Sequence, residues 1–133
     1  MKRIHQGSCH CGAVRFEADL DLAQGTAKCN CSICFKTRSW MAFVAAADFR
    51  LLAGQEALAD YQFGKRSIHH LFCMRCGVRP FARATDAKGN PAYALRVNCL
   101  DGVEPQELAE APVAYMDMLH DDLRSAPAET RHL

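Results

Sequence analysis

The sequence contains no long apolar run, no cluster of basic residues and no apolar segment at its start. A membrane-spanning helix needs about 20 mostly apolar residues, so we expect a protein without a membrane span. Residues 1–16 do not resemble a secretory signal, and we therefore expect a cytoplasmic protein. The 16 Lys and Arg residues nearly balance the 15 Asp and Glu residues, which argues against binding to nucleic acid.

The chain also lacks the length for two domains. Its 133 residues are close to the commonest size of a single domain, and its 50% hydrophobic content is enough for one modest core. We expect one domain over residues 1–123. Residues 124–133 follow a stretch rich in Pro and acidic residues, and we expect them to form a mobile tail. These features leave the oligomeric state open.

Cysteine is the residue that this chain has in excess. Seven of its eight cysteines lie in three short motifs, Cys9-x-Cys11, Cys29-x-Cys31-x-x-Cys34 and Cys73-x-x-Cys76. Cysteines one residue apart pair poorly with each other, and a reducing cytoplasm disfavours disulfides, so the spacing favours metal ligation. A structural zinc ion takes four thiolates, whereas a catalytic one commonly keeps three protein ligands and an open position. Seven clustered thiols therefore predict two zinc sites, one closed and one open.

The residues after the cysteines indicate which motifs share a metal ion. Cys11 and Cys76 are each followed by glycine, which can take a positive φ and bring backbone N–H groups close to a sulfur. Cys34 is followed by Phe35 instead. The first and third motifs are therefore predicted to form matching turns that meet. The predicted closed site consists of Cys9, Cys11, Cys73 and Cys76, and the predicted open site consists of Cys29, Cys31 and Cys34.

The fourth ligand of the open site has alternatives besides water or substrate. It could be a histidine or Cys99, in which case both metal sites would be purely structural. His69 and His70 are neighbours in a predicted strand and face opposite sides, so at most one can reach the site. His10 lies between two ligands and is expected at the surface or beside the closed site. Cys99, in an apolar context, is more typical of a small buried residue.

The hydrophobic pattern predicts a mainly β fold. Apolar and charged residues alternate from Val14 to Asp19, as in a half-buried strand, and the apolar run Trp40–Val44 suits a buried strand. Further strands are predicted over Ala59–Phe63, Ser67–Phe72, Pro80–Ala84 and Tyr93–Asn98.

Turn and helix signals complete the predicted fold. The turn-rich segment Asp86–Pro91 is predicted to be a hairpin loop. A short helix is predicted from Ser32 to Arg38, with Ser32 as its N-cap. Trp40 and Phe43 are expected in the core rather than against a ligand.

The motifs together resemble a known family. They are Gly7-Ser8-Cys9-His10-Cys11-Gly12-Ala13-Val14, Cys29-Asn30-Cys31-Ser32-Ile33-Cys34, Phe72-Cys73-Met74-Arg75-Cys76-Gly77 and Asn98-Cys99-Leu100-Asp101. Motifs in this order and at these separations resemble the glutathione-dependent formaldehyde-activating enzymes, a family that includes centromere protein V. The resemblance implies a small, mainly β, zinc-stabilised single domain, similar to the fold of the Rab-binding guanine-exchange chaperones.

The resemblance also implies a function. Founding members of the family are carbon–sulfur lyases that combine glutathione and formaldehyde into S-hydroxymethylglutathione. The implied partners are therefore a small-molecule thiol such as glutathione and an aldehyde, and the implied cofactor is zinc at both sites. The implied catalytic ligands are Cys29, Cys31 and Cys34. The alternative is a zinc-stabilised binding module without turnover, as would suit a relative of centromere protein V.

Several further residues could serve a thiol substrate. Three thiolates already donate much charge to a zinc ion, so we expect the ion to activate a thiol rather than to polarise an aldehyde. His10, His69 and His70 are the candidate proton donors. The chain is shorter than the founding enzyme and has Val78-Arg79-Pro80 where many relatives carry small hydroxyl residues, so the substrate does not transfer with the fold. The basic residues that could bind carboxylates, or simply lie at the solvated surface, are Lys36, Arg38, Arg75, Arg79 and Arg96.

Overall fold

Eleven β-strands and two short α-helices form the protein in a computed structural model that describes residues 1–133. The strands are β1 (Arg3–Ser8), β2 (Arg15–Leu20), β3 (Thr26–Cys29), β4 (Trp40–Ala45), β5 (Phe49–Ala53), β6 (Leu58–Tyr61), β7 (His69–Cys73), β8 (Phe81–Thr85), β9 (Pro91–Arg96), β10 (Leu100–Asp101) and β11 (Val113–Met116). The helices are α1 (Ser32–Thr37) and α2 (Pro105–Glu110), and neither is long and apolar enough to cross a membrane. The prediction of a mainly β fold is confirmed.

The first sheet has four antiparallel strands in the order β10-β1-β2-β5. The alternation predicted for β2 is confirmed, because Phe16, Ala18 and Leu20 are buried while Arg15 is exposed. The strand begins at Arg15, one residue after the predicted start. One face of this sheet therefore packs on the core and the other faces water.

The second sheet has seven strands in the order β11-β3-β4-β9-β8-β7-β6. All neighbours in it are antiparallel except β11 and β3, which run parallel. The strands predicted downstream of residue 40 are confirmed as β4, β6, β7, β8 and β9, with ends that differ by up to two residues. The hairpin between β8 and β9 is also confirmed. Its turn is held by the Asp86 carboxylate, which accepts hydrogen bonds from the backbone N–H groups of Lys88 and Asn90, both at 2.9 Å.

Four aromatic rings join the two sheets. Phe16 and Phe49 belong to the first sheet, and Phe81 and Tyr93 belong to the second. The Phe49 ring stacks on Tyr93 with 4.0 Å between centroids, stacks on Phe16 at 5.4 Å and meets Phe81 edge-on at 4.7 Å. Each aromatic pair contributes about 0.5–1.5 kcal/mol beyond the burial of its area. The centre of the core is therefore an aromatic cluster that spans both sheets.

Gly7 in β1 makes room for this cluster. A Cβ atom at residue 7 would lie 2.2 Å from Cζ of Phe16, far inside van der Waals contact. The Phe16 ring is fully buried between Phe49 and Phe81, whose centroids lie 5.4 and 5.9 Å away, so it has no free space to move into. The missing side chain at Gly7 therefore lets β1 lie directly against the core.

The prediction of Ser32 as N-cap of the short helix is wrong. Ser32 is the first residue of α1, and the N-cap is Cys31, whose backbone is extended (φ −61°, ψ 164°). The carbonyl of Cys31 accepts the first helical hydrogen bond, from the N–H of Phe35 at 2.8 Å, which is the role of an N-cap carbonyl. The helix itself is confirmed.

The two aromatic residues of β4 differ in position. Trp40 packs against the core as predicted, and its Nε1–H donates a hydrogen bond to Oγ1 of Thr26 at 2.8 Å. Phe43 was expected in the core but is 59% exposed. The reason is the two-residue period of the strand, which turns Ala42 and Val44 inward and Phe43 outward.

Several elements carry no clear signal in the sequence. They include β1, β3, β5, β11 and α2, which are each four to six residues long. Residues 124–133 contain no helix or strand. The carbonyl of Leu133 accepts a hydrogen bond from Nζ of Lys28 at 3.5 Å, and the His132 ring lies 5.6 Å from that of Phe35. The mobility of this segment stays a prediction.

Replacing Gly7 by alanine is expected to lower the free energy of unfolding by about 1–3 kcal/mol, because the new methyl group overlaps the Phe16 ring. Phe16→Leu should also destabilise the protein, since it leaves a void in the aromatic cluster. The double variant should be more stable than the sum of the two losses, because leucine makes room for the methyl group. Urea denaturation of the three variants measures this coupling, and simple additivity would contradict the predicted overlap.

Candidate functional site

The first cysteine turn follows β1. The N–H of Cys9 donates to the carbonyl of Val14 at 3.1 Å, and the N–H of Gly12 donates back to the carbonyl of Cys9 at 3.2 Å. Gly12 has a φ of +79°, which few residues other than glycine adopt without strain. A further N–H, that of Val14, points at the Cys9 sulfur at 3.3 Å. The turn thus presents Cys9 and Cys11 on one side.

The second cysteine turn follows β7 and has the same construction. The N–H of Cys73 donates to the carbonyl of Val78 at 2.9 Å, and the N–H of Gly77 donates to the carbonyl of Cys73 at 2.8 Å. Gly77 has a φ of +78°, nearly the value of the glycine in the first turn. The sulfur of Cys73 accepts a hydrogen bond from the N–H of Arg75 at 3.4 Å. The structure therefore agrees with the prediction of two matching Cys-Gly turns.

These two turns meet and bring Cys9, Cys11, Cys73 and Cys76 together as the four-cysteine cluster, in which all sulfurs lie within 4.8 Å of one another. The Sγ atom of Cys11 lies 3.7 Å from that of Cys9 and 3.7 Å from that of Cys73. Four sulfurs arranged tetrahedrally about 2.3 Å from a zinc ion would be about 3.8 Å apart, so the spacing fits this ion. It does not fit a disulfide, whose sulfurs are about 2.0 Å apart.

Backbone hydrogen bonds favour the thiolate form, which is the form that binds metals, at two of the four cysteines. Backbone hydrogen bonds from Cys11 and Val78 lower the pKa of Cys76 to about 6. A backbone hydrogen bond from Cys76, with another from Arg75, lowers the pKa of Cys73 as well. The turns thus prepare two of the four sulfurs for a cation.

Cys29, Cys31 and Cys34 form the three-cysteine cluster, and their sulfurs also lie within 4.8 Å of one another. Cys29 ends β3, Cys31 is the N-cap of α1 and Cys34 lies in its first turn. The N–H of Cys31 donates to the sulfur of Cys29 at 3.4 Å. Hydrogen bonds from the thiols of Cys29 and Cys34 lower the pKa of Cys31, whereas the contacts with Cys29 and Cys31 raise the pKa of Cys34. No fourth Cys, His, Asp or Glu joins this cluster.

Asn30 holds the three-cysteine cluster against the C-terminal part of the chain. Its Nδ2 donates to Oδ1 of Asp117 at 2.7 Å, and its Oδ1 accepts from the N–H of Leu119 at 3.0 Å. Its own N–H donates to the carbonyl of Met116 at 3.3 Å. No local pattern in the sequence reveals this role, because the side-chain partners of Asn30 lie 87 and 89 positions later and are placed by the pairing of β11 with β3.

The two adjacent histidines of β7 face opposite sides, as predicted. His69 pairs with Asp60, with 2.5 Å between Nδ1 and the carboxylate. His70 is buried, and its ring stacks on Phe63 at 5.3 Å. Burial, followed by the charges of Arg79 and Arg96, lowers the pKa of His70. Of the pair, His70 is the one close enough to Cys31 for that thiolate to oppose the shift.

The remaining candidates for a fourth ligand lie outside both clusters. His10 is exposed, in agreement with a surface position. Cys99 is buried, and its thiol lies 3.9 Å from the carbonyl of Arg79. Burial raises the pKa of Cys99 to about 11, so it is a neutral thiol at neutral pH. These two positions agree with the expectations for a surface histidine and a small buried cysteine.

The five basic candidates do not act together. Arg38, Arg79 and Arg96 line one cavity of about 320 Å³, whereas Lys36 and Arg75 lie elsewhere on the surface. The expectation that Arg96 lies at the solvated surface is wrong, because it is 5% exposed. It ends β9, a strand in the interior of the seven-stranded sheet, where neighbouring strands flank it on both sides.

The sequence model of the glutathione-dependent formaldehyde-activating enzymes matches residues 4–117, which is most of the chain. The chain belongs to this family. A Halomonas elongata protein named for the same family is 33% identical, in an alignment that covers 62% of this chain and 66% of that protein. The crystal structure of a Rhodobacter sphaeroides protein superimposes with a TM-score of 0.69 at 34% sequence identity, covering 82% of this chain and 99% of the other.

Replacing one cysteine in each cluster by serine should have different effects. Cys76 belongs to a cluster that joins turns 62 residues apart, so Cys76→Ser should unfold or aggregate the protein, because binding energy at such a site is folding energy. Cys31 belongs to a local motif that closes no long loop, so Cys31→Ser should leave a folded domain. Elemental analysis should find two zinc ions per chain in the original protein and one in Cys31→Ser.

Cys99→Ala is the matched control, because it removes a buried cysteine that belongs to neither cluster. This variant should keep both ions and the thermal unfolding temperature should fall only slightly. Equal destabilisation by Cys31→Ser and Cys76→Ser would show that the three-cysteine cluster is structural. One ion or none in freshly reduced original protein would contradict the two-site prediction.

Proposed function

We propose that the protein is a zinc-dependent enzyme of carbon–sulfur lyase type that joins a thiol such as glutathione to formaldehyde. The main support is the contrast between the two clusters, since one offers four sulfurs and the other offers three with no further ligand. Catalytic zinc sites commonly keep three protein ligands, whereas structural sites are closed by four. Membership of the family supports the choice of glutathione and formaldehyde as substrates.

The donor atoms of both clusters suit zinc, because sets of cysteine sulfurs with tetrahedral spacing select zinc or iron–sulfur centres. A zinc ion held by Cys29, Cys31 and Cys34 would lower the pKa of a substrate thiol bound in its fourth position. All eight cysteines are free, and seven of them must stay reduced to serve as ligands. We propose a reducing compartment, the cytoplasm, because it would keep these ligands reduced.

The protein contributes to the proposed reaction first by holding the three sulfur ligands in fixed positions. Asn30 is held by two side-chain hydrogen bonds to residues near the C-terminus, so the backbone between Cys29 and Cys31 cannot easily shift. A rigid set of three sulfurs allows exchange of a thiol in the remaining position without loss of the ion. Placing the sulfur in this way also brings it into the orientation needed for attack on a carbonyl carbon.

We propose that His70 assists the reaction at oxygen, because it is a buried histidine whose pKa responds to the charge of Cys31. Arg79 can only donate hydrogen bonds, so its contact with Nδ1 of His70 at 3.1 Å leaves that nitrogen without a proton. The neutral ring then carries its proton on Nε2. As the sulfur–carbon bond forms, the electron pair of the C=O bond moves to oxygen, which takes a proton from water to give the hydroxymethyl thioether. The Nε2–H of His70 would donate a hydrogen bond to that oxygen as its charge develops.

Cobalt in place of zinc gives a direct test of thiol binding. Glutathione should add a thiolate-to-cobalt absorption band, whereas S-methylglutathione, which has nearly the same shape but no ionisable thiol, should not. The affinity for glutathione should rise with pH up to the pKa of its free thiol, because the thiol must lose its proton to become a ligand. Absorption titrations of the two compounds between pH 6 and about 9 measure both effects.

Two variants and two results decide this test. Cys31→Ser should abolish the new band, whereas Cys99→Ala should keep it. Identical spectra with both compounds would contradict thiol activation. Failure of glutathione to alter the spectrum at any pH would favour the alternative, a zinc-stabilised binding module without turnover.

The role of His70 predicts a contrast between the two adjacent histidines. His70→Gln should slow the formation of S-hydroxymethylglutathione by about 10²-fold, the cost of losing one hydrogen-bond donor to a developing oxyanion. The cobalt band produced by glutathione should remain, because His70 does not bind the thiol. The rate can be followed by NMR exchange spectroscopy.

His69→Gln is the control, since His69 lies on the other face of the same strand and pairs with Asp60. It should change the rate little. At saturating glutathione, the rate of the original protein should fall only at pH values below the usual pKa of histidine, because the pKa of His70 is lowered and the neutral ring is the required form. Equal rates in the two histidine variants would exclude this role.

A further inference from the structure

The cavity lined by Arg38, Arg79 and Arg96, which we call the arginine cavity, has a volume of about 320 Å³ and no acidic residue in its wall. Arg38 ends α1 with a left-handed backbone conformation (φ 49°), Arg79 follows the second cysteine turn and Arg96 ends β9. Three separate elements therefore bring three positive charges to one place.

None of the three arginines forms an ion pair with an acidic residue. The guanidinium of Arg96 is buried and donates a hydrogen bond to the carbonyl of Ala94 at 3.1 Å. That of Arg79 donates to the neutral ring of His70. Buried arginines are normally paired with an anion, because an unpaired buried charge is strongly destabilising. The arginine cavity is thus bordered by cations that have no acidic partner in the fold.

The positive charges that line the cavity repel one another. Burial lowers the pKa of Arg96 to about 10, and the neighbouring charge of Arg79 acts in the same direction. Burial also lowers the pKa of Arg79. Arginines remain protonated at neutral pH even so, and an anion between them would relieve both the repulsion and the loss of solvation.

The arginine cavity lies close to the three-cysteine cluster. The backbone N–H of Arg38, the C-cap of α1, donates to the carbonyl of Cys34. The N–H of Ser39, a residue of the cavity wall, donates to the carbonyl of Cys34 at 3.1 Å. The end of the helix that carries Cys34 therefore forms part of the cavity wall, so that the cluster and the cavity are neighbours.

We propose that the arginine cavity binds a carboxylate of the thiol substrate and thereby selects acidic thiols over neutral ones. The proposal rests on the function proposed above, because it takes the substrate sulfur to lie at Cys29, Cys31 and Cys34. A guanidinium presents paired N–H donors that match the two oxygens of a carboxylate. In glutathione a glycine with a free carboxylate directly follows the cysteine, which suits the short separation.

Esterified glutathione provides the test, because glutathione diethyl ester keeps the thiol and loses both carboxylates. Calorimetric titration of zinc-loaded protein should show that the original chain binds glutathione about tenfold or more tightly than the ester, as expected for charge-assisted hydrogen bonds. Arg79→Gln should reduce this preference towards one. Arg38→Gln should act in the same direction, and because Arg38 is exposed this variant keeps the test available if Arg79→Gln fails to fold. Arg15→Gln is the control, since Arg15 is an exposed arginine of β2 outside the cavity, and the preference should persist.

An unchanged preference in Arg38→Gln and Arg79→Gln overturns the proposal. An equal loss of affinity for acid and ester also overturns it, because the arginines would then serve only as counter-ions of the cysteine sulfurs. S-methylglutathione separates this proposal from the proposed function, since it has carboxylates but no free thiol. If it binds and Arg79→Gln weakens it about tenfold, the cavity is supported even when glutathione fails to ligate cobalt. If glutathione ligates cobalt and neither arginine variant alters its binding, the proposal of a carboxylate site is contradicted. The proposed function is still supported in that case.

Discussion

The contact between the two cysteine turns is the constraint on which the rest of the domain depends. One turn follows β1 of the first sheet and the other follows β7 of the second, so the four-cysteine cluster links the two sheets. Sulfurs at 3.7 Å repel one another as thiolates, and the arrangement therefore calls for a cation among them. The aromatic cluster between the same sheets contributes apolar burial, but apolar burial does not fix how the two sheets are oriented. The cysteine turns fix that orientation, and because they set the path of the chain after Cys76 they also set the position of Arg79.

The grouping of the cysteines could be predicted from the sequence because it depends on local backbone conformation. A Cys-Gly step indicates a turn with positive φ, and Gly12 and Gly77 do adopt nearly equal values. Strands such as β2 and β4 were accessible because each carries its own pattern of apolar residues. The pair of β3 and β11 was not, since each has four residues and their parallel pairing depends on partners far apart in the chain. Arg96 was also missed, because a charged residue near a strand end normally signals the solvated face.

In the candidate active site, too, the local sequence predicts some features, whereas others depend on contacts between residues far apart in the chain. The sequence limits the histidines of β7 to one that can approach the three-cysteine cluster, but it does not tell which one. The contacts of the folded chain decide this, since His69 is taken up by Asp60 while His70 is buried beside Arg79. Likewise, an arginine that follows a cysteine turn has no evident role until β9 brings Arg96 beside it. Polar groups at such a site gain their chemistry from neighbours that only tertiary structure supplies.

The hydrogen bonds of Asn30 have a consequence for how the protein is made. All four members of the four-cysteine cluster have been synthesised once residue 76 is complete. The side-chain partners of Asn30 are Asp117 and Leu119, which are synthesised 87 and 89 residues after it. All four sulfurs of the four-cysteine cluster are therefore present on a nascent chain well before the three-cysteine cluster can be braced. The backbone of the second cluster becomes fixed only after residues 117–119 have been made.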